Sequence, residues 1–267
     1  GQKFWRDEYR LNALISEYPK PYVAFMQGFT MGGGVGISCH GSHRILCDSS
    51  RISMPECGIG LVPDVGGSLI LANAPGHWGE YLGTTAARMG PADAILAGFA
   101  DHYINIQKWP DLIQSLEKSG DTSQISTQSE APPQGVMSGL TDQINAIFSG
   151  HSLPDILTTL RNTDSDFARE TFKSLSRCSP LSAACTIEMI RSLRGTTDIR
   201  AALKLEYRFT SRASEHADFI EGIRAAIIDK DRAPNWRYTL DTLPQSAITA
   251  MLAPLGDEGL TFAKETP

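Results

Sequence analysis

The sequence predicts an α/β fold with a mostly helical C-terminal half, and three observations carry that reading. Short apolar runs bounded by Pro and Gly alternate with stretches of near-helical spacing early in the chain. A glycine cluster, Met31-Gly32-Gly33-Gly34-Val35-Gly36, follows directly on one of those runs. Further on, a polar stretch rich in Ser, Thr, Gln and Pro separates the alternating part from a series of helical patterns.

Taken in order, residues 4–17 place Tyr9, Leu11, Leu14 and Ile15 at near-helical spacing with charges between them, and Pro19 and Pro21 close the segment as a helix. Residues 22–26, Tyr-Val-Ala-Phe-Met, form a continuous apolar run of the kind that a strand buried on both faces shows. The small and apolar residues from Gly34 to Cys39 suit a helix packed on the sheet, and 43–47 and 51–54 read as two further strands. Helical patterns follow at 63–74, 81–85 and 92–97. Residues 119–135 hold few large apolar side chains and read as an exposed connection, which divides the chain into a core at 1–118, a loop or linker at 119–135 and a helical region at 136–267. In that last region helices are expected at 143–148, 153–160, 166–176, 180–193 and 199–229, with no repeat of fixed period.

Composition narrows the function classes. The 267 residues are 41% hydrophobic and 20% charged, enough to bury a substantial core. A net charge of −6 argues against a nucleic-acid partner, so any anionic ligand must be met by local positive groups. The five cysteines are odd in number and form no C-x-x-C pair, which disfavours a disulfide framework or a zinc site and suits a reducing compartment. No apolar run approaches the ~20 residues of a membrane span, and Gly1-Gln2-Lys3-Phe4-Trp5 has neither signal-peptide nor transit-peptide character. The expectation is a protein of the cytoplasm or an organelle interior, with no membrane partner.

Glycine inside an element costs roughly 0.5–1 kcal/mol relative to alanine, so four glycines in five positions imply a backbone lying close against a ligand. Two carboxylates follow within short reach, in Met54-Pro55-Glu56 and in Pro63-Asp64-Val65-Gly66-Gly67, as acid/base or nucleophilic chemistry requires. Each has a plainer reading. Glu56 alone reads as a solvated turn residue, and Asp64 as a helix N-cap worth about 1 kcal/mol that the helix end would also keep ionised. Glu8 alone is a helix-surface charge. His40 and His43 lack a third ligand at metal spacing, and Cys57 has no histidine placed by sequence to activate it.

These motifs, with Lys20-Pro21-Tyr22-Val23-Ala24 before them and Ala97-Gly98-Phe99-Ala100-Asp101-His102 after them, resemble the crotonase (enoyl-CoA hydratase/isomerase) superfamily and, within it, its 3-hydroxyisobutyryl-CoA hydrolase branch. The tail from Glu206-Tyr207-Arg208 through Asp218-Phe219, Gly222-Ile223-Arg224-Ala225 and Asp229-Lys230-Asp231 to Trp236 agrees with the same branch. The resemblance implies a spiral of ββα units and a site that polarises an acyl-CoA thioester carbonyl between two backbone N–H groups. Gly33 matches one donor; the other lies in a small-residue turn upstream of residue 4, together with two strands and a helix that this chain does not carry. The expectation is therefore a fold lacking its N-terminal part, completed by a separate N-terminal segment.

By the same resemblance Glu56 and Asp64 are the catalytic carboxylates and Glu8 contacts substrate. Hydratases carry a second glutamate where this chain has Gly36, which favours thioester hydrolysis. The implied reaction is hydrolysis of a short-chain 3-hydroxyacyl-CoA, first of all 3-hydroxyisobutyryl-CoA in valine catabolism. An enoyl-CoA hydratase or isomerase and a non-catalytic acyl-CoA-binding protein stand as alternatives. Coenzyme A enters as part of the substrate, with no further cofactor and no metal; a homo-oligomer stays open, and the compartment implied is the bacterial cytoplasm or the mitochondrial matrix.

Overall fold

The computed structural model describes residues 1–262. Helix α1 (Gln2–Ser16) turns Trp5, Tyr9, Asn12 and Ala13 inward, a stripe at helical spacing, and leaves Lys3 and Asp7 outside, with Arg6, Glu8 and Arg10 half-buried at its flanks. Strand β1 (Val23–Met26) follows, and Gly28, at φ 67°, turns the chain into β2 (Phe29–Met31). Helix α2 (Gly33–Ser38) then leads to β3 (His43–Leu46) and β4 (Arg51–Ser53). Strand β2 is too short, and too closely joined to the glycines, to stand out as an apolar run of its own.

The strands pair with one another in parallel. Strand β1 pairs with β3 from Val23↔His43 to Met26↔Leu46, β3 pairs with β5 (His102–Tyr103), and β2 pairs with β4 in a second small sheet through Thr30↔Ile52. Single antiparallel bridges join β4 to Met89 and β5 to Glu130. Because successive strand residues face opposite sides, β3 serves two cores: Leu46 enters the main one, and Ile45 joins Cys47, Ile104, Trp109, Leu112 and Ile125 in a smaller one.

The helix expected at 63–74 begins later, as α3 (Gly67–Ala72), since Val65 at φ 53° and Gly66 at φ 80° hold the preceding turn in left-handed conformation. Helices α4 (Trp78–Thr85), α5 (Pro91–Leu96) and α6 (Trp109–Ser119) complete the first part. Residues 119–135 are not one continuous loop. They contain α7 (Ser123–Gln128), whose Ile125 is buried, and Glu130 pairs back to Tyr103 through its backbone. One apolar residue at the right place anchors a segment that composition reads as polar.

The helical region holds α8 (Thr141–Phe148), α9 (Leu153–Asn162), α10 (Asp166–Leu175), α11 (Pro180–Ser192) and α12 (Ile199–Thr210). Ser152, Ser165, Ser179 and Asp198 cap four of these with side-chain acceptors. The long helix expected at 199–229 is broken into α12, α13 (Ala213–His216), α14 (Phe219–Ile223) and a π-helical turn, Arg224–Ile228. Arg224 ties that turn to Glu221, Asp229 and Asp231, each at 2.7 Å. Helix α15 (Gln245–Leu252), absent from the sequence reading, packs against α11 and α12. Among the described residues no helix is long and apolar enough to cross a membrane.

Candidate active site

The C-terminal ends of β2 and β4 deliver the two signature turns side by side. After β4, Pro55 and Glu56 begin a 3₁₀ turn, Glu56–Ile59, closed by Gly58 N–H on the Pro55 carbonyl at 2.9 Å and Leu61 N–H on the Glu56 carbonyl at 3.0 Å. Glu56 is only 4% exposed and its Oε2 is buried with no hydrogen-bond partner in the structure. Burial, reinforced by the nearby Asp64, pushes its pKa well above the usual carboxylate range.

The glycines lie between carboxylates. A Cβ on Gly32 would sit 3.2 Å from Glu56 Oε1, and a Cβ on Gly33 would sit 3.2 Å from Glu8 Oε1. Gly32 also has φ 53°, which an L side chain seldom adopts. Glu8, on α1, is half-buried, and that burial raises its pKa. Gly33 opens α2, so its N–H is one that the helix itself leaves without a partner. Glu8, Gly33 and Glu56 thus come together as expected.

Asp64 joins them from the next turn, 5% exposed, with Tyr9 Oη donating to its Oδ2 at 2.8 Å. The N-cap reading is corrected: the cap of α3 is Gly66, and no side chain of the turn caps the helix. Nor does the helix end keep Asp64 ionised. Burial and then Glu206 drive its pKa well up, against the lowering effect of the Tyr9 hydrogen bond.

The backbone donors at that helix start go to Glu206, a site residue that sequence reasoning missed. Glu206, on α12 and fully buried, accepts from Gly66 N–H at 2.9 Å, from Ser68 N–H at 3.2 Å and from the Ser68 hydroxyl. Burial outweighs these three donors and pushes its pKa up to about 7. A signal existed: on α12 the buried face reads Ile199, Ala202, Leu203, Glu206, Tyr207, so the acid falls on an otherwise apolar stripe.

The other candidates separate. His40 is half-buried with its Nε2 2.8 Å from the Val65 carbonyl, whereas His43 on β3 meets the Ser42 hydroxyl. Among the described residues no group of three or more His, Cys, Asp or Glu could hold a metal ion. Cys57 is buried against the Gly83 carbonyl and the Thr186 hydroxyl, and burial drives its thiol well above the ordinary range. A Cβ on Gly36 would stand 2.7 Å from both Asn12 Nδ2 and Val65 Cβ. Beside Pro55 runs a groove of about 670 Å³ whose lining includes Arg88, Arg177, Arg232 and Trp236.

The arrangement can polarise a carbonyl at Gly33 and present two buried carboxylates to it. The enoyl-CoA hydratase/isomerase family model matches residues 1–252. The chain is 34% identical to the mitochondrial 3-hydroxyisobutyryl-CoA hydrolase of Gallus gallus over 96% of its own length and 70% of the relative. It is 33% identical to that of Homo sapiens over 97% and 70%. A crystal structure described as an enoyl-CoA hydratase from Rhodobacter sphaeroides superposes with TM-score 0.94 at 53% identity, covering 98% of this chain and 77% of that one. One described as a carnitinyl-CoA dehydratase from Mycobacterium thermoresistibile gives TM-score 0.92 at 37% identity over 99% and 76%. By sequence and by fold, this chain belongs to the enoyl-CoA hydratase/isomerase family.

Proposed function

We propose that this protein hydrolyses the thioester of a short-chain 3-hydroxyacyl-CoA, with 3-hydroxyisobutyryl-CoA, giving 3-hydroxyisobutyrate and CoA, as the first substrate to test. The observation that carries this reading is the filled space at Gly36. A second hydratase-type glutamate has no room beside Asn12 and Val65, while Glu56 and Asp64 remain, buried, around the Gly32-Gly33 turn. In this reading the Gly33 N–H takes up the charge that develops on the thioester oxygen, a contribution of about 2.7–4 kcal/mol for such a donor. Glu56 draws a proton from the attacking water, or attacks the carbonyl carbon itself to give an acyl-enzyme that water then opens. Asp64 orients the water or the substrate 3-hydroxyl. The carbon–sulfur bond breaks and the thiolate leaves with little need of protonation, its pKa being about 8.5 by analogy with cysteine. The exposed arginines of the groove beside Pro55 would meet the phosphates of CoA on a chain whose net charge is −6.

The finer part of the proposal concerns the second oxyanion donor, assigned to an N-terminal segment of the family fold that packs on the described residues. Among the described residues strand β1 ends one sheet, β2 is paired on one side only, and Phe29 is 68% exposed, edges that further strands would cover. Supplying the corresponding N-terminal segment of a relative should raise turnover; no change would remove this part of the reading.

Enoyl-CoA hydration is the second reading, favoured by the 53% identity to a structure described as a hydratase. Thiol release measured with 3-hydroxyisobutyryl-CoA, beside loss of the crotonyl-CoA double bond, separates the two. Thiol release supports hydrolysis, hydration of crotonyl-CoA without thiol release overturns it, and binding without either reaction leaves an acyl-CoA-binding protein.

A further inference from the structure

Val65 is a β-branched residue held at φ 53°, where an L side chain costs about 1–2 kcal/mol, and it directly follows Asp64. Such strain persists only where the surroundings over-determine the conformation. Here they do so from two sides. His40, which follows α2, sets Nε2 2.8 Å from the Val65 carbonyl, and because a carbonyl only accepts, that nitrogen carries the proton. Burial lowers the His40 pKa to about 4, so the ring is neutral in that tautomer at neutral pH. From the other side Glu206 accepts the N–H groups of Gly66 and Ser68, and the Gly67 N–H closes the turn on the Asp64 carbonyl at 2.7 Å. The turn has no slack at Gly66, where a Cβ would stand 2.6 Å from both His40 Nε2 and Ile199 Cδ1.

We propose that His40 and Glu206 are positioning residues that clamp Val65 in its left-handed conformation and so set the Asp64 carboxylate against Glu56 and the Gly33 N–H. The inference rests on the hydrolase reading for its catalytic consequence and on the hydrogen bonds alone for its structural one. Helix α2 gives the clamp its point: Gly33 begins it and His40 stands two residues beyond its end, six helical residues or about 9 Å along. One rigid piece thereby fixes the oxyanion donor and the turn that carries Asp64.

His40→Leu removes the donor, His40→Gln keeps an N–H at comparable reach, and Val65→Gly removes the need for a clamp, since glycine takes φ 53° freely. With 3-hydroxyisobutyryl-CoA, His40→Leu should lower kcat about tenfold or more with KM changed less than threefold, as expected when a reacting group is misplaced. His40→Gln should recover most of the loss, and Val65→Gly in the His40→Leu background should recover a substantial part. By hydrogen exchange, the Gly66 and Ser68 amides should lose protection in His40→Leu while β1 and β3 keep theirs. Turnover of His40→Leu within twofold of the parent, or a loss that neither His40→Gln nor Val65→Gly repairs, would overturn the proposal. If the parent protein releases no thiol from this substrate, the hydrolase reading falls and the exchange measurement alone decides: unchanged protection at Gly66 and Ser68 sinks the clamp, and selective loss sustains it. Should His40→Leu fail to fold, Glu206→Gln, which weakens the hold on the Gly66 and Ser68 amides from the other side, carries the same two readouts.

Discussion

The turn that carries Glu56 and the turn that carries Asp64 lie next to each other in sequence but are built on opposite principles. The Glu56 turn takes its backbone shape locally, from a strand end, a proline and two short-range backbone hydrogen bonds, while its more distant ties all fall on Cys57, from Ser179 N–H to its carbonyl and from its thiol to Gly83 and Thr186. The Asp64 turn is assembled from afar, its groups held by Tyr9 on α1, His40 beyond α2 and Glu206 on α12. A local turn tolerates change elsewhere in the chain, whereas an assembled one registers every alteration in its three holders.

Glu56→Gln tests the local side and should have the largest effect, because it leaves the turn intact and removes only the proton acceptor or nucleophile. We expect kcat to fall by about 10²–10⁴ with CoA-ester binding little changed, read by steady-state kinetics and calorimetry; equal losses in binding and rate would contradict the role. Gly33→Val comes next, with loss of about 10²–10³ if the N–H is blocked, since its Cβ already presses on Glu8. A Gly33→Val protein that folds and keeps parental turnover would remove Gly33 from the site.

On the assembled side, Tyr9→Phe deletes the hydrogen bond that the Asp64 carboxyl receives from α1. A side-chain hydrogen bond is worth about 0.5–1.5 kcal/mol net, and Tyr9 stays packed in the core, so a fall in kcat of about tenfold is expected, with the melting temperature lowered by a few degrees. An unchanged rate would mean that Asp64 is held without Tyr9.

The smallest effect is a pH dependence. Glu206 binds its proton up to about pH 7 in the folded protein, against an ordinary value of 4.5. The folded state therefore holds a proton that the unfolded chain has released, and stability falls as pH rises through that window, by about 1.4 kcal/mol per pH unit at most. Urea unfolding at pH 5 and pH 7 should show this slope in the parent and a flatter one in Glu206→Gln, even though that variant is less stable at both. Equal slopes would show that Glu206 is already ionised at pH 5.

The same division governs what the sequence made legible. Strands β1, β3 and β4, helix α2 and the glycine turn all follow from neighbours a few residues away, and the reading found them, whereas its neighbours alone give Glu56 as a solvated turn residue and the structure buries it. Local rules read Asp64 as a cap, because they assign a carboxylate before a helix to that helix, and its catalytic reading came from the family resemblance alone; its partner in the structure, Tyr9, is visible only in three dimensions. Glu206 lay on a periodic apolar face where a lone acid is a visible anomaly, but nothing local says what it faces. The breaks at 211–212 and 217–218, which divide the expected long helix, carry no proline or glycine, so periodicity ran through them.

The reach of Glu206 across the chain to Gly66 and Ser68 also bears on how this sequence can be shuffled with its relatives. A crossover placed anywhere between residues 68 and 206 joins an Asp64 turn from one parent to an α12 from another, and the polar stretch around 119–135 is the place an engineer would choose first. Such a chimera inherits a matched clamp only if both parents carry the acid on α12 and the donors at the helix start. A mismatch strands a buried carboxylate, or two buried N–H groups, at a cost of about 1–3 kcal/mol for each orphaned group. The seam is best cut before Tyr9 or after Tyr207, so that the turn travels with Tyr9, His40 and Glu206 together.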